Sequence, residues 1–324
     1  MTQQTLRNCL RLGIGLGLLI SSFAFAQDYA GKRVFILHSY NDQFPWTHKI
    51  NQIIRNILDA KEIVSSTFYL DTKNHASESE KLAAAQMAKL QITKFKPDVV
   101  ITSDDDAVQY VLMPYYKDSN LPFVFCGVNW NANAYGLPYK NATGMLEVEL
   151  INEIVKNLQE YAKGRRLGTL ALDGFTERKW VAHYAEYLGR AVDKSYFPNT
   201  FEEWKDNFLR LQNEVDMVIL LNPKGLKDFD MQQAQSFIEE NIKVPTGSSI
   251  AWMSQMSLLG ITLIPEEQGL WAAQAALAIL GGRAPSNIPI VQNRQGKLFI
   301  NLKIAEKLGI TFKPYLLKIG DIIR

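Results

Sequence analysis

Residues 103–106 read Ser-Asp-Asp-Asp, three carboxylates in a row where an apolar run, 99–101, gives way to an amphipathic stretch. Such a group can hold a cation, serve as a catalytic acid pair, contact a ligand at the mouth of a cleft, or cap a helix. A calcium loop also needs a glycine turn and a distal glutamate, and both are missing. Adjacent acids on one segment diverge in direction, which makes them a poor catalytic pair. Two compatible readings remain. Asp105 and Asp106 accept from the free N–H groups of a following helix and gain from its dipole. Ser103 or Asp104 contacts a ligand, with Asp104 suited to an ammonium, because a charge buried without a partner is costly.

Aromatic residues supply a second set of candidates. Tyr40, Phe44 and Trp46 follow the first apolar run, either as a packed lid over the next helix or as a stacking wall for a ligand. Asn129 and Trp130 close a later strand, where the amide and the indole can face a cleft, or the indole can instead pack at a hinge. Further on, Asp173 and Phe175, then Asn222, then Ser249 and Trp252 each follow a predicted strand. Each taken singly fits turn or capping chemistry; together they are expected to form a second ligand-binding wall. Trp180, Trp204 and Trp271 lie inside helical patterns and are expected to pack, and Glu266 with Glu267 reads as a first-turn pair.

No catalytic, metal or cofactor site is expected. The histidines, His38, His48, His75 and His183, are scattered with no close pair at helix spacing. No G-x-S-x-G nucleophile elbow is present. The chain is therefore not expected to be an enzyme.

The first 26 residues have the pattern of a cleaved leader: Arg7 and Arg11, an apolar core over 12–23, and Ala24-Phe25-Ala26. That core is shorter than the roughly 20 residues of a membrane span. Cys9 precedes the core, so no lipid-anchored cysteine is expected, and the mature chain would be a periplasmic, exported protein with no membrane insertion. The full chain has 35 basic and 33 acidic residues, and removing Arg7 and Arg11 leaves 33 of each. A neutral surface carries no electrostatic footprint for nucleic acid or anionic lipid. Cys126 is the one cysteine left, so no disulfide forms within the mature chain, and a chain this long can build its core without one.

The positions of these candidates follow from the elements around them. Apolar β-branched runs at 34–39, 63–70, 98–102 and 122–128 alternate with helical periodicity at 47–58 and 78–95, the latter opened by Ser77 with Glu80 three residues on. The stretch 129–144, rich in Asn, Gly and aromatics, breaks the pattern. It then restarts with helices at 149–161, 177–192, 201–213 and 231–241 and strands at 167–172, 194–197, 217–221 and 244–248. A strand at 260–264 and a helix at 266–280 follow. Strands alternating with helices imply parallel sheets with ligand sites beyond the strands' carboxyl ends. The expected organisation is a leader at 1–26, an N-terminal lobe at 27–130 with part of 253–290 returning to it, and a crossing segment at 131–144. A C-terminal lobe at 145–250 is completed by part of 290–324.

The chain resembles the substrate-binding proteins of ABC transporters, in the group of tryptophan- and phenylalanine-type binders. The resemblance rests on SYNDQFPWTHKINQII, SDDDA followed by PFVFCGVN, NATGM, IPEEQGLWAAQAALAILGGRAPSNIPI and KLFINLKIAEKLGI, in that order over nearly the whole mature chain. It implies a type I periplasmic-binding fold, α/β, with two Rossmann-like lobes closing on a small molecule, an amino acid or related compound. The partner it implies is an ABC permease. The first motifs also look like members fused to sensor kinases or cyclases, so a membrane sensor protein is the alternative partner. The chain ends at Arg324 without an output domain, which favours a separate soluble receptor.

Overall fold

The computed structural model describes residues 29–324; the expected leader lies outside the described residues. In the first lobe, β1 (Arg33–His38), β2 (Val64–Tyr69), β3 (Val99–Ser103), β4 (Phe123–Asn129) and β5 (Ala142–Glu147) form the sheet. They are linked by α1 (Pro45–Asp59), α2 (Glu78–Phe95) and a short α3 (Asp105–Ala107) that runs into a π-helix over Val108–Tyr116. The second lobe contains α4 (Ile151–Gln159), β6 (Leu167–Leu170), α5 (Phe175–Leu188), β7 (Lys194–Tyr196), α6 (Phe201–Glu214) and β8 (Met217–Leu220). It continues through α7 (Met231–Asn241), β9 (Thr246–Ser248) and β10 (Leu259–Leu263). The chain then returns to the first lobe as α8 (Pro265–Leu280) and β11 (Val291–Gln292). It ends in the second with β12 (Gly296–Asn301), α9 (Leu302–Leu308), α10 (Pro314–Ile319) and β13 (Asp321–Ile323).

The sheet orders are β11-β5-β4-β3-β1-β2 and β13-β12-β10-β9-β8-β6-β7. Every named pairing is parallel except β10 with β12. In the first sheet the order reverses between β1 and β3, which places His38 beside Ser103 at the carboxyl ends. Open parallel sheets bind ligands at such a reversal, because two connections diverge there and leave a crevice.

Strand alternation explains why helices cover both faces. Val34 and Ile36 point to a core shared with Ile50, Ile54 and Leu58 of α1 and Ala272 and Ala276 of α8. Phe35 and Leu37 point the other way, toward Ala85, Ala88 and Ile92 of α2. Each fully buried branched side chain of this kind contributes about 1.5–3 kcal/mol. α2 begins at the capping box read from the sequence: Ser77 Oγ accepts from Glu80 N, and the Glu80 carboxylate accepts from Ser77 N at 3.1 Å.

Two boundaries differ from expectation. β5 lies inside the segment read as a crossing, and it pairs with β4. The first passage between lobes is therefore at 148–150, with later ones at Ile264 and 293–295. β10 belongs to the second sheet and α8 to the first lobe, so the return begins at 264. Hydrogen bonds tie the passages together: Val148 N donates to Asn293 Oδ1 at 2.7 Å, and Arg294 N and Gln295 N donate to the Glu267 carboxylate at 2.9 and 2.8 Å. Glu267 holds the hinge in addition to sitting in the first turn of α8.

Candidate ligand-binding site

The three acids part company on leaving β3. Asp106 pairs with Lys81 of α2 at 3.7 Å. Asp105 accepts from Asn129 N at 3.2 Å, Asn129 Nδ2 at 2.5 Å and the Tyr135 hydroxyl at 2.6 Å, fixing the loop beyond β4. Asp104 turns inward and is 4% exposed. None of them caps the helix by its side chain; Ser39 Oγ accepts from Ala107 N at 2.8 Å instead. The adjacent strand end, rather than the acids themselves, supplies the missing acceptor.

Asp104 has φ 65° and ψ 171°, a backbone region used almost only by glycine. Among the described residues its side chain has one hydrogen-bond contact, Ser103 Oγ, 3.2 Å from Oδ2. Ser103 Oγ also lies 2.6 Å from His38 Nδ1, and His38 Nε2 lies 3.2 Å from Asn51 Oδ1. Burial lowers the His38 pKa to about 4, so the ring is neutral and carries one N–H. That N–H belongs on Nε2, facing the Asn51 carbonyl oxygen, which leaves Nδ1 to accept the Ser103 proton. Ser103 Oγ is thus shared between His38 Nδ1 and Asp104 Oδ2. Burial, reinforced by the charge of Asp105, pushes the Asp104 carboxyl up to about 7.

Beyond this strand end lies a cavity of about 310 Å³ bounded by both lobes. Trp46, at the start of α1, closes it from the first lobe. Trp180 of α5, Ser249 and Ile250 after β9, and Thr262 and Leu263 at the end of β10 close it from the second. Between them come Asn129 and Trp130 at the end of β4, Glu147 at the end of β5 and Glu149 on the first passage. Burial raises Glu147 well above the usual carboxylate range, with Asp104 and Asp105 adding to the shift. Burial likewise pushes Glu149 up to about 7, against a hydrogen bond donated by the Tyr184 hydroxyl. Trp46 Nε1 and Ser249 Oγ, one on each wall, are buried and make no hydrogen bond of good geometry among the described residues.

Tyr40 and Phe44 stand at the first-lobe end, edge to face at 5.5 Å. Lys73 Nζ sits 4.1 Å from the Tyr40 ring centroid and 3.3 Å from that of Phe44. Burial lowers the Lys73 pKa, and the charges of Asp104 and Glu147 oppose that shift. Trp130, in a left-handed conformation at φ 64°, stacks on His183 of α5 at 4.7 Å and 11°, while the Tyr187 hydroxyl donates to its carbonyl at 2.6 Å.

Of the residues singled out in the sequence, Trp46, Asn129, Trp130 and Ser249 line the cavity; Tyr40, Ser103 and Asp104 are not in its lining, although the charges of Asp104 and the lining Glu147 both bear on Tyr40. Four others have different surroundings. Asp173 pairs with Arg178 at 2.7 Å, Phe175 is 87% exposed, and Asn222 Oδ1 accepts from Lys224 N at 3.0 Å in a turn. Trp252 packs edge-on to Phe229 at 6.5 Å, with Lys224 over its ring. Conversely, Trp180 lines the cavity although its helical pattern suggested packing, whereas Trp204 is fully buried. Glu147 and Glu149 were not among the candidates. Their i, i+2 spacing at the end of a strand was the available signal, hidden because 129–144 read as a loop and Glu149 as a helix residue.

Two sheets with helices on both faces and three passages between them define a two-lobed binding-protein fold. Residues 224–322 match the family model of ABC transporter substrate binding proteins, a family of solute binders. No curated protein sequence matches the chain. Among solved structures, a ligand-free, open substrate-binding protein with adhesive properties from Clostridium difficile is similar at TM-score 0.68 and 14% identity, over 90% of this chain and 99% of that one. An ABC domain from Streptococcus pneumonia in complex with L-Trp is similar at TM-score 0.55 and 19% identity, over 91% and 100%. A periplasmic ribose ABC transporter protein from Conexibacter woesei is similar at 0.56 and 13%, over 88% and 97%. The fold is thus that of the type I periplasmic-binding proteins, and the sequence resemblance to ABC substrate-binding proteins is shown over the last third of the chain.

Proposed function

We propose that this is an exported, periplasmic solute-binding protein of an ABC importer, which closes two lobes around an amino acid or related amine-bearing compound and presents the closed form to a permease. The observation that carries the reading is a cavity walled by Trp46 on one lobe and by Trp180, Ser249 and Leu263 on the other, with Glu147 at the end of β5 and Glu149 on the passage between them. A ligand there touches both walls, so it favours whichever arrangement brings them together, by its differential affinity for that state. The indoles offer broad apolar faces to a ligand's body, and the carboxylates offer partners for an ammonium. No helix among the described residues is long and apolar enough to cross a membrane.

A thermal-shift screen of the purified protein against amino acids, amines, purines and sugars tests the reading. A ligand present at about 100 times its dissociation constant adds roughly 2.7 kcal/mol, which moves the melting point of a chain this size by about 2–4 °C per kcal/mol. Recovery of the stabilising compound unchanged supports binding; its conversion to a product would instead identify an enzyme.

A further inference from the structure

We infer that the ligand of this cavity is a small organic cation, an amine with one or two ammonium groups and no carboxylate, held at Glu147 between Asp104 and Glu149. The inference rests on the solute-binding reading and narrows its ligand from amino acids to amines without an acid group.

The first ground is the balance of charge. Glu147 and Glu149 line one cavity that no arginine, lysine or histidine lines, and the charge of Asp104 bears on Glu147 from behind the lining. Lys73 is a cation whose charge bears on both Asp104 and Glu147, and among the described residues it forms no ion pair with either; nearby, Asp106 pairs with Lys81 and Asp173 with Arg178. An amino acid would bring a third carboxylate to the lining, with no cationic side chain there to receive it. An amine brings only what the set lacks.

The second ground is that these carboxylates have unused capacity. Glu147 is the common neighbour on which the charges of Asp104, Asp105 and Glu149 all bear, yet its side chain makes no hydrogen bond or ion pair among the described residues. Asp104 is more than nine-tenths buried, and its Oδ1 makes no hydrogen bond among the described residues. A carboxylate in such surroundings is costly unless a charged donor arrives, and an ammonium supplies three N–H donors.

The third ground is that the protein already packs a cation here. The Lys73 ammonium lies over the rings of Phe44 and Tyr40 at the Asp104 end. Trp46, Trp130 and Trp180 extend the same kind of surface along the cavity. Indole faces attract cations more strongly than other aromatic rings and place no demand for a carboxylate on the ligand.

Calorimetric titration with matched pairs tests the inference: tryptamine against tryptophan, phenethylamine against phenylalanine, cadaverine against lysine, putrescine against ornithine and agmatine against arginine. The members of a pair differ by the carboxylate. In the pair that binds, the amine should bind at least tenfold more tightly, and Glu147→Gln should weaken it at least tenfold. Glu149→Gln provides the same comparison if the first variant does not fold. Equal or tighter binding of the amino acid overturns the inference and leaves the solute-binding reading intact, as does binding of a neutral sugar with no amine bound. Amine affinity unchanged in folded Glu147→Gln also overturns it. Failure of every amine, amino acid and neutral solute to bind overturns both readings.

Discussion

Asp104 and Gly127 close on one another at the carboxyl ends of β3 and β4. Asp104 N donates to the Cys126 carbonyl at 2.9 Å, and a Cβ added to Gly127 would stand 3.1 Å from Asp104 Oδ1. Both residues have positive φ, 65° and 69°. Two tight reversals side by side turn the Asp104 carboxyl inward instead of letting it continue along the strand into solvent. Only glycine at 127 permits both the conformation and the approach.

Gly127→Ala should therefore destabilise the protein by about 1–3 kcal/mol, the usual cost of a side chain in this backbone region. It should also weaken ligand binding by displacing Asp104. Urea unfolding measures the first effect. An unchanged midpoint would show that the two strand ends yield more easily than this geometry implies.

Asp104→Gly should act in the opposite sense. It removes a strained non-glycine conformation and a buried acid together, so the ligand-free protein should become more stable by about 1–3 kcal/mol while ligand affinity falls. A loss of stability would mean that the Asp104 contacts outweigh its strain.

Much of this architecture is legible in the sequence, because strands and helices have periods that local pattern reveals. The S-x-x-E box fixed the start of α2, and the bounds of α7 follow from its own spacing. β5 escaped because Asn, Thr and Gly in NATGM suggest a loop, whereas its place is set by pairing with β4. Glu147 and Glu149 were lost with it, since their direction depends on that pairing. Trp180 shows a further limit: helical spacing identifies a face but not whether the face meets a core or a cleft. The left-handed Asp104 and Trp130 have no local sequence signal, for neither residue type announces that conformation.

Trp130 joins the two lobes through α5, by its stack on His183 and the hydrogen bond from Tyr187 to its carbonyl. Its side chain is 6% exposed. Trp130→Ala should cost about 3–5 kcal/mol of stability, as deletion of a large buried ring does. It should also lower ligand affinity, because the indole lines the cavity. Trp252→Ala, outside the cavity, should leave affinity unchanged. Equal affinity in both variants would remove Trp130 from the site.

The loop acids should separate in the same way. Asp105→Ala strips acceptors from Asn129 N, Asn129 Nδ2 and Tyr135, so it should destabilise by about 1–3 kcal/mol. Asp106→Ala removes only a longer contact to Lys81 and should cost under about 1 kcal/mol. Chemical denaturation of the two variants side by side decides between them; equal losses would contradict the division of labour seen after β3.

Protonation of the cavity acids should make both stability and binding depend on pH. Asp104 and Glu149 have carboxyls pushed up to about 7, and Glu147 is raised as well. The folded protein therefore keeps protons that the unfolded chain has lost, and this contribution to stability declines as pH rises from the unfolded carboxylate values through about 7. His38, lowered to about 4, opposes it by costing stability as pH falls from 6.5 toward 4. Around Asp104 the other groups are Asp105, Asp106, Lys73, Tyr40, Cys126 and Glu147. Asp104→Asn, which mimics the protonated acid, should thus stabilise the ligand-free protein at pH 8 relative to the parent, by about 4 kcal/mol at most, and by progressively less toward pH 4. A cationic ligand favours the ionised acids, so its binding near pH 7 should release protons, and its affinity should rise with pH. Calorimetry in buffers of different ionisation enthalpy detects that release. Proton uptake on binding would require a ligand that favours the protonated acids.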